Sequence, residues 1–306
     1  MDVSELLLGL GLISVSALNS IAIVYAVRQQ KGPARTEESS KPKEENNLEE
    51  AQPGASPAEK RPTSKAEILA WRRSIIDGLE RERGTKVITM IHKKELWTRP
   101  GEHEEIGIED TTKVLLELRK TPPDKPVDLI LHTPGGFALA AQMMAMAIKF
   151  HRGKVTVMVP FYAMSGGSLM SLAADEIRME KYSVLGPVDP QVPTPDGMYP
   201  AGSLATLVKI KPIQNITDRM VILADAGNLE IENAKSFVMW LLEGKMPKEQ
   251  AERVADFLSK GIMTHGTPIT LDVARALGLN VVEGIPDEVY KLFKTFSFTG
   301  QSYKGS

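Results

Sequence analysis

Val127-Asp128-Leu129-Ile130-Leu131-His132 runs directly into Thr133-Pro134-Gly135-Gly136, and this stretch decides how the chain folds. A short run of Val, Leu and Ile without polar alternation reads as a strand buried on both faces, as in parallel βαβ units. The glycines that end it accept positive φ and let another backbone approach closely, so their N–H groups can face a ligand oxygen. About thirty residues later the pattern recurs. Lys154–Pro160 reads as a strand, Phe161-Tyr162-Ala163-Met164-Ser165-Gly166-Gly167 as an elbow of small residues around a serine, and Ser165–Ala174 as a helix. Strand, glycine turn, helix, strand, serine elbow, helix is an order that sets a hydroxyl nucleophile beside free backbone N–H groups. Successive crossovers of this kind bring their loops to one edge of a sheet, where open α/β folds bind ligands.

Outward from this pair the alternation continues. Lys86–His92 reads as a strand, Glu109–Arg119 and Phe137–Phe150 as helices, and Glu176–Met179 as a short strand. Beyond residue 200 the pattern turns helical, over Gly202–Ile210, Thr217–Ala226, Ile231–Leu242, Lys248–Lys260, Leu271–Leu277 and Pro286–Phe293. The expected fold is α/β, a parallel β-sheet core followed by helical layers. Ser64 and Glu67 form a capping box before the apolar positions Ile68, Leu69, Trp71, Ile75, Ile76 and Leu79, so the folded domain is expected over 63–295, with a tail over 296–306.

The N-terminal sixth is of another kind. Residues 6–27 are apolar and uncharged, and as a helix they would reach ~33 Å, enough for a hydrocarbon core of ~30 Å. Asp2 and Glu5 precede the run, while Arg28, Lys31 and Arg35 follow it. The positive-inside rule then predicts an uncleaved single-pass anchor with the catalytic domain in the cytoplasm. Residues 28–62 are rich in Glu, Lys, Pro, Ser and Ala, a composition that does not bury enough apolar surface to offset ordering entropy, and they read as a disordered tether.

Composition narrows the function classes. A net charge of -2 over 306 residues, with few basic runs and little aromatic interleaving, argues against a nucleic-acid partner. The chain has no cysteine, hence no thiol nucleophile or Cys-based metal site, and its five histidines have no ligand spacing. No metal or cofactor is expected. His132 ends the central strand and reads as structural or as lining the site, and Asp189, in Val188-Asp189-Pro190, as loop geometry or as a group that binds a substrate backbone or orients a base.

The Pro-Gly-Gly turn, Ala163-Met164-Ser165-Gly166-Gly167, and Ala274-Arg275-Ala276-Leu277-Gly278-Leu279 together resemble the Clp-fold, crotonase-like serine peptidases, and more narrowly their SDH-type members, over roughly residues 84 to 290. The resemblance implies Ser165 as nucleophile, and Gly135 or Gly136 together with Gly166 as oxyanion donors. It also implies a peptide or protein substrate and a homo-oligomer. Clp peptidases carry a histidine about 25 residues after the serine; here that region reads Ser183-Val184-Leu185-Gly186-Pro187-Val188-Asp189-Pro190-Gln191, with none. The signal-peptide-peptidase branch uses a lysine 40 to 50 residues downstream, where Lys209 and Lys211 lie. Leu204, Leu207, Val208 and Lys211 share a helical face, with Lys209 about 200° around it, so Lys211 is the expected base of a Ser–Lys dyad. Pro212 biases Lys211 away from the helical region. His265 is the rival base, close to where Clp peptidases place their acidic third member. Two other readings stand beside the peptidase: a catalytically inert membrane scaffold, and an acyl-CoA hydratase or isomerase on the same fold.

Overall fold

The computed structural model describes residues 64–93, 95, 97 and 104–296. The expected membrane helix over 6–27, the tether over 28–62 and the tail beyond 296 lie outside them. Among the described residues no helix is long and apolar enough to cross a membrane.

The domain opens with α1 (Lys65–Arg83), started by the expected capping box: Ser64 Oγ accepts from Glu67 N at 3.2 Å and Glu67 Oε2 from Ser64 N at 3.1 Å. There follow β1 (Lys86–Ile91), α2 (Ile108–Lys120), β2 (Val127–His132), α3 (Ala138–Phe150), β3 (Val155–Val159), β4 (Tyr162–Ala163), α4 (Gly166–Ala173), β5 (Glu176–Met179) and β6 (Val184–Leu185). The second half holds β7 (Gln191–Thr194), β8 (Gly197–Pro200), α5 (Ala201–Ile210), α6 (Asp218–Leu242), α7 (Lys248–Ser259), β9 (Ile269–Thr270), α8 (Leu271–Ala276), β10 (Val281–Glu283) and α9 (Asp287–Lys294).

Five strands form a sheet in the order β1-β2-β3-β5-β10, every neighbouring pair parallel. Every residue of β2 and β3 is buried, as an unbroken apolar run requires. Their side chains alternate between two cores. Leu129, Leu131, Val155, Val157 and Val159 join the core with α3, α4 and α7, whereas Ile130 and Met158 pack with Leu79 of α1 and Val289, Leu292 and Phe293 of α9. A fully buried side chain of this size contributes ~1.5–3 kcal/mol, so a one-residue slip of either strand would exchange two filled faces. Asp128, the one charge in β2, is held by Arg83 Nε at 2.5 Å and Thr85 Oγ1 at 2.7 Å, which locks the end of α1 to β2.

Two expectations are corrected. The helices expected over Thr217–Ala226 and Ile231–Leu242 are one helix, α6. Gly227 does not break it; a Cβ there would come within 3.2 Å of Ala201, so the glycine lets α5 lie close against α6. Lys211 does not continue the apolar face of α5. The helix ends at Ile210, and Lys211 follows it in extended backbone (φ -93°, ψ 135°) and exposed, as the residue before Pro212 should be.

His132 closes β2 beneath Phe161, Tyr162 and Phe293, with ring centroids at 5.7, 4.2 and 5.2 Å. Its buried Nδ1 has no partner among the described residues. Burial first, then the charges of Lys93 and His92, lower its pKa from 6.5 to about 4. The unfolded chain takes up this proton near pH 6.5 and the folded chain only near pH 4, so the contribution of neutral His132 is complete above 6.5 and is lost as pH falls through that window. Urea midpoints at pH 7 and pH 4.5 should show His132→Leu escaping ~2–3 kcal/mol of the acid destabilisation of the parent. Equal losses in the two proteins would contradict this.

Candidate active site

The elbow is set by strand pairing. Beyond β2, Thr133 forms a parallel bridge with Ala163 of β4: Thr133 N donates to Tyr162 O at 3.1 Å and Met164 N to Thr133 O at 3.0 Å. Two residues further along each strand, Gly135 therefore faces Ser165. A Cβ on Gly135 would lie 2.7 Å from Ser165 Cβ and 3.4 Å from its Oγ, and the backbone there has φ +106°. Ser165 itself has φ 49° and ψ -112°, the one positive φ outside glycine among the described residues. Such backbone costs ~1–3 kcal/mol and persists only where its surroundings fix it. Here Gly167 N donates to Met164 O at 2.8 Å and Ser168 N to Ser165 O at 2.9 Å. A serine on a strained turn between strand and helix is the geometry that exposes a nucleophilic hydroxyl.

The backbone donors sort themselves. Gly135 N–H is taken by Thr133 Oγ1 at 3.1 Å. Main-chain bonds pin the flanks of the turn, with Ile106 N donating to Gly135 O at 2.6 Å and Phe137 N to Ile106 O at 2.8 Å. The N–H groups of Gly136 and of Gly166, the first residue of α4, have no partner among the described residues. Of the two glycines the sequence left open, Gly136 is thus the one with a donor to offer. The positive end of the α4 dipole lies at Gly166. At the other end Lys245 Nζ donates to the carbonyls of Leu172, Ala173 and Ala174 at 2.7, 2.7 and 2.5 Å, and burial lowers its pKa to about 8.

A second, three-stranded sheet brings two more loops to the same edge. Its order is β4-β6-β9, with Ala163 opposite Leu185 in parallel register and Leu185 opposite Ile269 in antiparallel register. Asp189 follows β6 by four residues, and His265 precedes β9 by four, so both leave the sheet at the end where Ser165 leaves β4. They meet: His265 Nδ1 lies 2.7 Å from Asp189 Oδ1. The Asp189 carboxylate is buried at 3% exposure, and its second oxygen accepts from Gln191 Nε2 at 2.7 Å. The carboxylate can only accept, so it fixes the proton on Nδ1 and leaves Nε2 as the basic nitrogen. The hydrogen bond to Asp189 raises the His265 pKa above its ordinary 6.5 against the opposing effect of burial.

Thus Ser165 and Gly135 are in contact, the two free donors are Gly136 and Gly166, and a carboxylate–imidazole pair stands at the same sheet edge. Lys209 and Lys211 are exposed, and neither ammonium has a hydrogen bond or ion pair among the described residues. Metal-binding groups of three or more His, Asp or Glu are absent among the described residues.

Comparison with known proteins fits this geometry. The model of the ClpP-like SDH-type serine proteinases matches residues 60–302. This chain belongs to that family. Two uncharacterised proteins of Methanocaldococcus jannaschii are 44% and 43% identical to it, over 71% and 74% of this chain and 74% and 78% of their own. Among solved structures, a mutant of the 1510-N membrane-bound stomatin-specific protease aligns with 15% identity and a TM-score of 0.42, covering 61% of this chain and 79% of its own. ClpP1 from Listeria monocytogenes aligns with 14% identity and a TM-score of 0.41, covering 67% and 96%. The family match spans the glycine turn, the serine elbow, Asp189 and His265. A serine peptidase of the ClpP-like kind is the coarse reading that it supports.

Gly135→Ala tests the contact between turn and elbow. The added methyl meets Ser165 Cβ and imposes a side chain on positive φ, so labelling by a fluorophosphonate should fall by ~10²-fold or more. Unchanged labelling would place the nucleophile elsewhere.

Proposed function

We propose that this protein is a serine endopeptidase in which Ser165 is the nucleophile, His265 the general base and Asp189 the group that orients it. The observation that carries the reading is the 2.7 Å Asp189–His265 pair at the sheet edge where Ser165 sits on strained backbone. Ser165 Oγ attacks a peptide carbonyl while His265 Nε2 takes its proton. The oxyanion is held by the N–H groups of Gly136 and Gly166, an arrangement whose loss by one donor typically costs ~10²–10³ in kcat. His265 then returns the proton to the leaving amine, and water, activated by the same nitrogen, releases the acyl group from Ser165.

The Ser165–Lys211 dyad is the competing arrangement. A lysine base needs burial to lose its proton near neutral pH, and Lys211 is exposed, which favours His265. An inert scaffold has no use for a strained serine, and a hydratase has none for a nucleophile at the elbow. The apolar run over 6–27 supports a membrane anchor, and with it a preference for membrane-proximal proteins or peptides.

Fluorophosphonate labelling and hydrolysis of fluorescent casein test the assignment. Ser165→Ala should abolish both, Asp189→Asn should lower turnover by ~10⁴ through the wrong imidazole tautomer, and Lys211→Ala should stay within about twofold of the parent. Because His265 must be neutral to act and its pKa is raised, the rate should climb with pH along a limb centred above 6.5. Asp189→Asn should shift that limb downward. Activity lost in Lys211→Ala and kept in His265→Ala would replace this base with the dyad.

A further inference from the structure

Beneath the glycine turn lies a second carboxylate–imidazole pair that the reaction above does not use. His92, Asp110 and Thr133 are all buried, at 6%, 8% and 0% exposure. His92 Nδ1 is 2.7 Å from Thr133 Oγ1, and His92 Nε2 is 3.3 Å from Asp110 Oδ2. Thr133 Oγ1 is the acceptor that takes Gly135 N–H. The same Asp110 oxygen accepts Gly107 N–H at 2.9 Å, and Gly107 follows Ile106, whose main chain bonds both Gly135 O and Phe137 N. One carboxylate oxygen thus governs both sides of the turn: through His92 and Thr133 it reaches Gly135 N–H, and through Gly107 and Ile106 it reaches the carbonyl of Gly135 and the amide of Phe137.

The polarity of the chain follows from its acid end. Burial pushes the Asp110 pKa up, but hydrogen bonds from His92 and Gly107 N–H and the charge of Lys113 outweigh it, leaving the pKa below 3.8. The ionised carboxylate only accepts, so the neutral His92 ring carries its proton on Nε2 and its Nδ1 accepts. The single proton of Thr133 Oγ1 is then directed at His92, and the oxygen keeps its lone pairs for Gly135 N–H. Reversing the chain would put a proton on His92 Nδ1 and turn the Thr133 hydroxyl toward Gly135 O, 3.4 Å away, a poor hydrogen bond.

We infer that Asp110 and His92 are positioning residues of the oxyanion turn, which by holding Gly135 N–H inward leave Gly136 N–H as the donor facing the substrate carbonyl. The inference rests on Ser165 as the nucleophile, and its test separates the two. Kinetics on a p-nitrophenyl ester and inhibition by a peptide boronate, whose adduct is a tetrahedral anion, are measured for the full chain and for Asp110→Leu, Thr133→Val and Thr133→Ser. Asp110→Leu keeps the volume but removes the oxygen that His92 Nε2–H and Gly107 N–H share; Thr133→Val keeps the shape but removes the acceptor of Gly135 N–H. Both should lower kcat by ~10²-fold, the effect of a misplacement near 1 Å, with KM within about twofold and boronate affinity falling in parallel. Thr133→Ser, which keeps the hydroxyl, should stay within about threefold of the parent. Folded variants with unchanged kcat and boronate affinity would overturn the inference, as would a loss confined to KM. If Asp110→Leu does not fold, the Thr133 pair decides alone. A parent chain that fluorophosphonate does not label would remove the nucleophile reading and this inference with it.

Discussion

The parallel bridge between Thr133 and Ala163 is the contact on which the rest of the site depends. Two main-chain hydrogen bonds set β4 beside the end of β2, and from that register everything two residues further on follows. Gly135 meets Ser165, Gly136 presents an unpaired N–H, and α4 begins at Gly166 with another. The same β4 is paired to β6, and β6 to β9, so Asp189 and His265 inherit their place from the same ladder. Four loops far apart in sequence are thus aligned by short strand contacts rather than by side-chain packing. A main-chain ladder holds such groups more tightly than free loops would, which suits chemistry that tolerates little misplacement.

That economy explains what the sequence shows and what it hides. The long apolar strands, the glycine turn and the serine elbow are legible because each carries a local signature: unbroken burial, positive φ, small residues at a helix start. The strands β4, β6 and β9 have two residues each, too few for any periodicity to mark them. Asp189 and His265 are 76 residues apart, and nothing local joins them. Their signal was comparative: Asp189 stands about where the Clp peptidases keep a histidine, and His265 about where they keep an acid. Lys211 misleads for a simpler reason. The apolar spacing Leu204, Leu207, Val208 points on to residue 211, but the helix ends at Ile210 because Pro212 favours extended backbone before it. Gly227, between the two expected helices, serves close packing within one.

Ser165 sits on backbone that costs energy, and the surroundings offset that cost at both ends of the helix that follows it. Small residues let α4 press against its neighbours: a Cβ at Gly166 would lie 2.7 Å from Ala141, and one at Gly167 2.6 Å from Thr133. Lys245 supplies the carbonyls at the far end of α4 with three part-buried hydrogen bonds from one cation, favourable where the dipole is negative. The arrangement leaves the positive end of the helix open at Gly166, where charge would develop on an oxyanion.

The central claim is that one sheet edge assembles nucleophile, donors and base from this single chain. The most direct measurement is a crystal structure of the boronate adduct. The account predicts boron bonded to Ser165 Oγ and an anionic oxygen ~2.7–3.1 Å from Gly136 N and Gly166 N, with His265 Nε2 within ~3.2 Å of Ser165 Oγ or of a second boronate oxygen and still bonded to Asp189. An adduct whose oxygen is held by other groups, or in which a lysine takes the place of His265, would contradict it.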